Sequence, residues 1–291
     1  MVVNQLVTLL RHFADTPMIT GTTRLYGIIG HPIGHVRVPM TFNERFARDG
    51  IDAVSIPFDT TPERLADAIR GLRALENLGG FVVTAPHKQA AVALCDEVVG
   101  EALLVGAVNT VRRERDGRLI GDLFDGQGFV RGLLAHGHVL AGKRVFLNGA
   151  GGAGNAVAFA LARAGVAAIT VHNRTASRAA DLVQRLARAY PQCAVAVGPK
   201  DARGFDIAAN ATSVGLKDNE LSFDVSALAA STLVAEVIMK PEKTALILAA
   251  EARGCPAQPG RYMLDHQMDL MFEFMRIGDT EHTAAHRKTE P

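Results

Sequence analysis

The chain has 291 residues, 48% of them hydrophobic and 21% charged, and its 31 basic and 30 acidic side chains leave a net charge of +1. At ~100–200 residues per domain this length suggests two domains, each able to bury a core without disulfide or metal staples. The balanced charge and the lack of a basic stripe exclude a field that would gather nucleic acid or an anionic membrane, so any anion site must be local.

Residues 1–24 read as an extension with one short amphipathic helix. It has no basic leader, and Arg11 and His12 end its apolar run, so no signal peptide is expected. Apolar runs at 25–30, 53–58 and 80–84 predict strands. Between them, 62–75 opens on Pro62 and carries Leu65, Ile69 and Leu72 at helical spacing. A helix is also expected over 87–95, and the runs flanking Asp116-Gly117 predict a hairpin. The second half alternates more regularly. Strands are expected over 143–149, 168–174, 193–197, 205–212 and 233–238, and helices over 152–165, 176–190, 243–254 and 260–278. Such alternation predicts an α/β fold with a parallel sheet covered on both faces. A polar tail follows from residue 279.

No uninterrupted apolar run approaches the ~18 residues that span a bilayer. Cys95, Cys193 and Cys255 are odd in number and widely spaced, so they read as free thiols of a reducing, cytoplasmic compartment. His31, His35, His87 and His266 lack ligand spacing, and no metal site is expected. Met263, Met268, Met271, Phe272 and Met275 form a stripe on the last helix that reads as core packing.

Gly149-Ala150-Gly151-Gly152-Ala153-Gly154 matches G-x-G-x-x-G where a strand ends and a helix begins, the context in which this pattern binds dinucleotides. Free N–H groups at the helix start suit phosphates. An NAD site carries an acid ~20 residues further on. Here the second strand ends in Asn173-Arg174-Thr175, with Arg178 beyond and no acid. Guanidinium forks suit the 2′-phosphate of NADP, although Arg178 alone also reads as a solvated helix residue. For proton exchange with an alcohol, Lys88 at the end of a buried strand and Asp125, a plausible helix N-cap beside glycines, are the candidates. A lone lysine at a helix start is more often simply solvated.

Taken together, Tyr26 to His35, Gly80 to Lys88, Gly106 to Thr110, Gly121 to Gly128, the glycine turn, Asn173 to Thr175, Asn210 to Gly215 and Met263 to Gln267 resemble the shikimate dehydrogenase family. The resemblance implies two α/β domains with a cleft between them. An N-terminal substrate-binding domain would take 1–124, completed by the helix 261–278, and a C-terminal Rossmann-type NADP-binding domain would take 125–260. It implies reversible reduction of 3-dehydroshikimate with NADPH, in aromatic amino acid biosynthesis. Lys88 and Asp125 fall on the catalytic pair, and Thr84, Asn109 and Gln267 on residues that bind the ring hydroxyls. Asn210, Thr212 and Ser213 join Asn173, Arg174, Thr175, Arg178 and the glycine turn around the cofactor. A monomer or homodimer acting on a small cyclic hydroxy or keto compound is expected.

The sequence also departs from the family's pattern. Two serines that usually hold the substrate carboxylate are Val36 and Val38 here, and a tyrosine of the late strand is Met239. Leu123-Phe124 replaces a polar pair, and Val82 an amide. Losing two or three hydrogen bonds to a charged group, at about 1.5–3 kcal/mol each, weakens binding by on the order of 10²–10⁵. Reduced shikimate activity is therefore expected. Arg37 could restore carboxylate binding, but in extended chain it would point away from the two valines. Two alternatives stand beside this reading: a non-catalytic ligand-binding protein on the same fold, and a quinate or shikimate dehydrogenase using NAD. The second needs an acid near Asn173.

Overall fold

The computed structural model describes residues 19–34 and 36–278. Most of the expected N-terminal helix, His35 and the polar tail lie outside the described residues. In chain order the first half contains β1 (Arg24–Gly30), α1 (Val38–Asp49), β2 (Ala53–Asp59), α2 (Leu65–Arg73), β3 (Leu78–Val83), β4 (Glu97–Val98), α3 (Gly100–Val105), β5 (Thr110–Arg113) and β6 (Leu119–Asp122). The second contains α4 (Asp125–Ala135), β7 (Arg144–Asn148), α5 (Gly152–Arg163), β8 (Ala168–His172), α6 (Ala176–Ala189), β9 (Ala194–Val197) and β10 (Ile207–Asn210). It ends with β11 (Leu233–Glu236), α7 (Ala245–Ala252), β12 (Ala257–Gln258) and α8 (Arg261–Phe274). The chain divides into two compact units. One holds the residues through Val99, Val108–Gly121 and those from Phe272, and the other holds Gly100–Ala107 and Asp122–Met271.

The first unit is built on a sheet ordered β2-β1-β3-β5-β6-β4. It is mixed, not wholly parallel as the alternation suggested: β1 runs parallel to β2 and β3, while β5 runs antiparallel to β3. The Asp116-Gly117 hairpin, closed by the Glu114 amide donating to Arg118 O (2.8 Å), joins β5 to β6 as a further antiparallel pair, because a tight turn can only join antiparallel strands. Helix α1 was not anticipated, although Val38, Phe42 and Phe46 form a buried stripe at four-residue spacing. Phe42 meets Phe272 edge-on at 4.9 Å between ring centroids, and Phe46 lies 5.6 Å from Tyr26. Burying a side chain of this size stabilises the fold by about 1.5–3 kcal/mol.

The helix expected over 87–95 is only a 3₁₀ segment, Ala90–Leu94. A tertiary bond explains this. The Val108 amide takes the Lys88 carbonyl (2.8 Å), and the Val92 amide turns instead to Gln89 O (3.3 Å). The sequence here is rich in alanine and favours a helix, but the loop before β5 claims one of its acceptors.

The second unit carries a sheet ordered β12-β11-β10-β7-β8-β9, with every recorded pair parallel. Chain order runs from β7 outward to β9, then returns beside β7 and continues outward to β12. That is the doubly wound order, whose ligands gather at the carboxyl ends of the strands where the winding reverses. Phe146, Phe223, Val234 and Leu246 pack one side of this sheet and are almost fully buried.

Candidate active site

In the first unit, three candidates collect at the carboxyl end of β3. The Thr84 amide donates to Ile29 O (2.9 Å) and the Val83 amide to Asn109 O (2.7 Å). With the Val108–Lys88 bond, these place Thr84, Lys88 and Asn109 on neighbouring strands and turns. Thr84 and Lys88 are half-buried, and Asn109 is buried. The loop after β1 shares this edge, because the His31 amide donates to Ala85 O (3.1 Å). Val38 is buried and Val36 half-buried. The segment is not extended at Arg37, which has φ −111° and ψ −15° and precedes the first turn of α1. The alternation of an extended strand therefore does not hold at Arg37, whose side chain is nevertheless exposed. The histidines have other partners: His31 Nδ1 sits 2.8 Å from Asp59 Oδ1, and His87 Nε2 2.7 Å from Thr60 O.

In the second unit, Asp125 is the first residue of α4 and not its cap, which is Phe124. It is buried, as is Gln267 on α8. A Cβ at Gly128 would lie 2.7 Å from that of Gln267, so this glycine lets α4 and α8 pack closely. Met239 stands in the loop after β11 and is 38% exposed.

The glycine turn follows β7. Gly149 has φ +119°, and a Cβ there would lie 2.6 Å from Ala211 O. A Cβ on Gly154 would strike Gly149 O at 2.2 Å, so helix and turn touch through backbone. Gly151 and Gly152 differ, since a Cβ on either would meet nothing within 4 Å. This open, glycine-walled cradle at a helix start fits a pyrophosphate. The Asn173 carboxamide oxygen accepts from the Ala150 amide (3.0 Å), tying β8 to the turn. Arg174, Thr175 and Arg178 follow, all exposed, and among the described residues neither arginine has an ion-pair partner.

Successive backbone bonds join these strand ends: Gly149 N to His172 O (2.7 Å), Ala211 N to Asn148 O (2.7 Å) and Val237 N to Asn210 O (3.1 Å). Asn210 is fully buried. Its Oδ1 accepts from the Thr212 amide (3.0 Å) and hydroxyl (2.7 Å), and its Nδ2 donates to both Glu236 oxygens. It shapes the loop that carries Thr212 and Ser213.

Sequence reasoning missed Glu236. This carboxylate, 1% exposed, also accepts from the amides of Val237 and Ile238 and the hydroxyl of Thr244. Burial pushes it up to about 7, against the lowering effect of those bonds. An acid inside the apolar run LVAEVI was the available signal. Glu101 on α3 was missed too. Burial pushes it up to about 7; Arg163 opposes the rise, and Asp122 and Asp125 add to it. Arg163 Nη2 lies 2.9 Å from Glu101 Oε1, yet neither carboxylate oxygen is in a well-directed hydrogen bond. The charge attraction is real and the alignment poor.

A family model described as shikimate dehydrogenase substrate binding domain matches residues 28–111, and one described as shikimate / quinate 5-dehydrogenase matches residues 134–215. Shikimate dehydrogenase (NADP(+)) of Rubrobacter xylanophilus is 41% identical over 261 residues, 87% of this chain and 90% of that one. This chain belongs to the shikimate dehydrogenase family. Among solved structures of similar proteins, shikimate 5-dehydrogenase of Listeria monocytogenes, in complex with shikimate and NAD, has a TM-score of 0.83 and 33% identity, covering 93% of this chain and 98% of that one. Ligand-free 5-ketofructose reductase of Gluconobacter sp. strain CHM43 has a TM-score of 0.79 and 35% identity, covering 87% and 92%. The two family matches span β1 to β5 and β7 to β10, the elements that carry most of the candidate residues. Among the described residues, no helix is long and apolar enough to cross a membrane.

Proposed function

We propose that this member of the shikimate dehydrogenase family is an NADP(H)-dependent oxidoreductase that interconverts a ring alcohol and its ketone. Its preferred substrate lacks the carboxylate of shikimate. The observation that carries the cofactor half is the open glycine cradle followed by exposed Arg174 and Arg178, which have no ion-pair partner among the described residues. A 2′-phosphate suits two guanidinium groups, and no acid is present to favour a ribose hydroxyl. The curated relative from Rubrobacter, named for NADP(+), supports the same choice.

Gly149 to Gly154 would hold the pyrophosphate, Asn173, Arg174, Thr175 and Arg178 the adenosine end, and the loop Asn210 to Ser213 the remainder. NADP(H), when bound, supplies or accepts the hydride. Lys88 Nζ gives a proton to the substrate oxygen in one direction and takes it back in the other. Asp125 carries the compensating negative charge. Thr84, Asn109 and Gln267 orient the ring hydroxyls.

The substrate half rests on Val36, Val38 and Met239, which present no hydrogen-bond donor from their side chains. Similarity to a reductase named for 5-ketofructose, an uncharged ketone, supports a family site that works without a carboxylate. Steady-state kinetics with shikimate and its methyl ester test this. The ester is expected to match or exceed the acid in kcat/KM. An advantage of about 100-fold for the acid, the worth of one or two charged hydrogen bonds, would sink the claim. Exposed Arg37 favours a second reading, in which its fork holds the carboxylate and shikimate is used normally. Arg37→Gln would then raise the KM for shikimate alone.

The cofactor assignment has its own check. Arg174→Ala and Arg178→Ala are each expected to weaken NADP binding by roughly 10-fold while leaving NAD binding unchanged. Equal losses for both nucleotides would refute the 2′-phosphate assignment.

A further inference from the structure

Asn155 lies in the first turn of α5 and is 9% exposed. Its Nδ2 donates to Ala150 O (3.1 Å) and Gly151 O (2.7 Å), two successive carbonyls of the glycine turn. Its backbone amide donates to Gly151 O as well (2.9 Å). In a trans peptide the carbonyl and the following N–H point in opposite directions. Drawing the Ala150 and Gly151 carbonyls toward Asn155 therefore turns the Gly151 and Gly152 N–H groups away from it. The glycine turn is open around these same two residues, with nothing within 4 Å of a Cβ on either.

A carboxamide works this way only with its nitrogen facing the carbonyls. Arg185 on α6 enforces that choice. Its Nη2 donates to Asn155 Oδ1, and a guanidinium has no acceptor, so the flipped amide would set donor against donor. Arg185 is itself fixed. Its Nε donates to Asp181 (2.9 Å), and its Nη1 to Leu104 O (3.2 Å) and Val105 O (3.4 Å) at the end of α3. Its guanidinium also lies 5.6 Å from the centre of the Phe159 ring.

We propose that Asn155, oriented by Arg185, is a positioning residue of the cofactor site, one that aims two consecutive peptide N–H groups at the pyrophosphate. This rests on the NADP(H) reading above. The pattern G-x-G-x-x-G marks where side chains must be absent. Asn155 and Arg185 determine which way the peptides in that space face.

Isothermal titration of the full chain tests the proposal with two ligands. NADP carries the pyrophosphate, and adenosine 2′-monophosphate has no phosphate at its 5′ carbon. In Asn155→Ala the Kd for NADP should rise about tenfold, as expected for losing hydrogen bonds to a charged group. The Kd for adenosine 2′-monophosphate should stay within about twofold. Arg185→Met should shift NADP in the same direction, and Arg185→Lys, which keeps a donor, should shift it less. Should Asn155→Ala not fold, the two Arg185 variants decide by the same comparison. NADP affinity unchanged in the variants overturns the role of Asn155. So does a parallel loss of both ligands, which marks general damage. If the unmodified chain binds no NADP, the cofactor reading itself fails.

Discussion

Replacing Lys88 by Met is expected to lower kcat by about 10²–10⁴ on whichever ring alcohol serves best, while NADP affinity stays unchanged. Methionine keeps the apolar stem and removes only the ammonium, so packing around this half-buried side chain is largely kept. Lys88 belongs to the first compact unit and the glycine turn to the second, so cofactor affinity is read on residues of the second unit, which the substitution leaves unchanged. Lys88→Arg sharpens the test. An arginine keeps the charge but does not give up a proton near neutrality. If Lys88 Nζ exchanges the alcohol proton, the arginine variant should be nearly as slow as the methionine one. If the charge only orients the substrate, the arginine variant should recover much of the rate. Asp125→Asn should also lower kcat, because it removes the compensating charge and leaves the side chain's shape. Stopped-flow measurement of NADPH formation separates these cases. A methionine variant within about tenfold of the unmodified enzyme would remove Lys88 from the chemistry.

Much of the second unit is legible in the sequence. Strands β7, β8, β10 and β11 are short apolar runs, and α6 shows Ala179, Leu182 and Leu186 at helical spacing, whereas α3 and the two-residue β12 give no such signal and were not anticipated. The glycine turn was legible for the same reason, since Gly149 and Gly154 stand where any side chain would strike backbone. The first unit was harder to read. Helix α1 shows only Val38, Phe42 and Phe46 to the core, three buried side chains in 12 residues. The helix over 87–95 failed because Lys88 O bonds to Val108, a contact no local window contains. The hairpin of β5 and β6 was legible in Asp116-Gly117, but the antiparallel pairing of β5 with β3 joins segments far apart in the chain and was not. Among the residues around the candidate site, Asn155 and Arg185 escaped because their meaning lies in a bond between positions 30 residues apart. Glu236 was hidden by the apolar strand that buries it.

Thermal stability is expected to fall as pH rises from 5 to 8.5, with Glu236 and Glu101 as the main causes. Burial raises both from an ordinary 4.5 to about 7 in the folded chain. The sign follows from proton linkage. Between the two values the folded state holds protons that the unfolded state has released, so adding base favours unfolding. The stabilising contribution is full below about 4.5 and is lost as pH passes through 7. A displacement of this size corresponds to up to about 3 kcal/mol for each group. The two substitutions to glutamine should then behave differently. Glu101 has no well-directed hydrogen bond to lose, so Glu101→Gln should raise the melting temperature above pH 8, where the native carboxylate is charged and buried. The lost attraction to Arg163 is small by comparison, because that side chain is 49% exposed and screened by water. Glu236→Gln should flatten the pH dependence as well, but from a lower starting point. Asn210 Nδ2 and Thr244 Oγ1 both donate to Glu236, and one of them would face the new amide nitrogen. Asn210 cannot relieve this by flipping, because its Oδ1 already holds the Thr212 amide and hydroxyl. Calorimetric scans of the three proteins at pH 5.5, 7 and 8.5 are decisive. A melting temperature that rises with pH in the unmodified chain, or a Glu101→Gln curve parallel to it, would show that these carboxyls do not carry the effect.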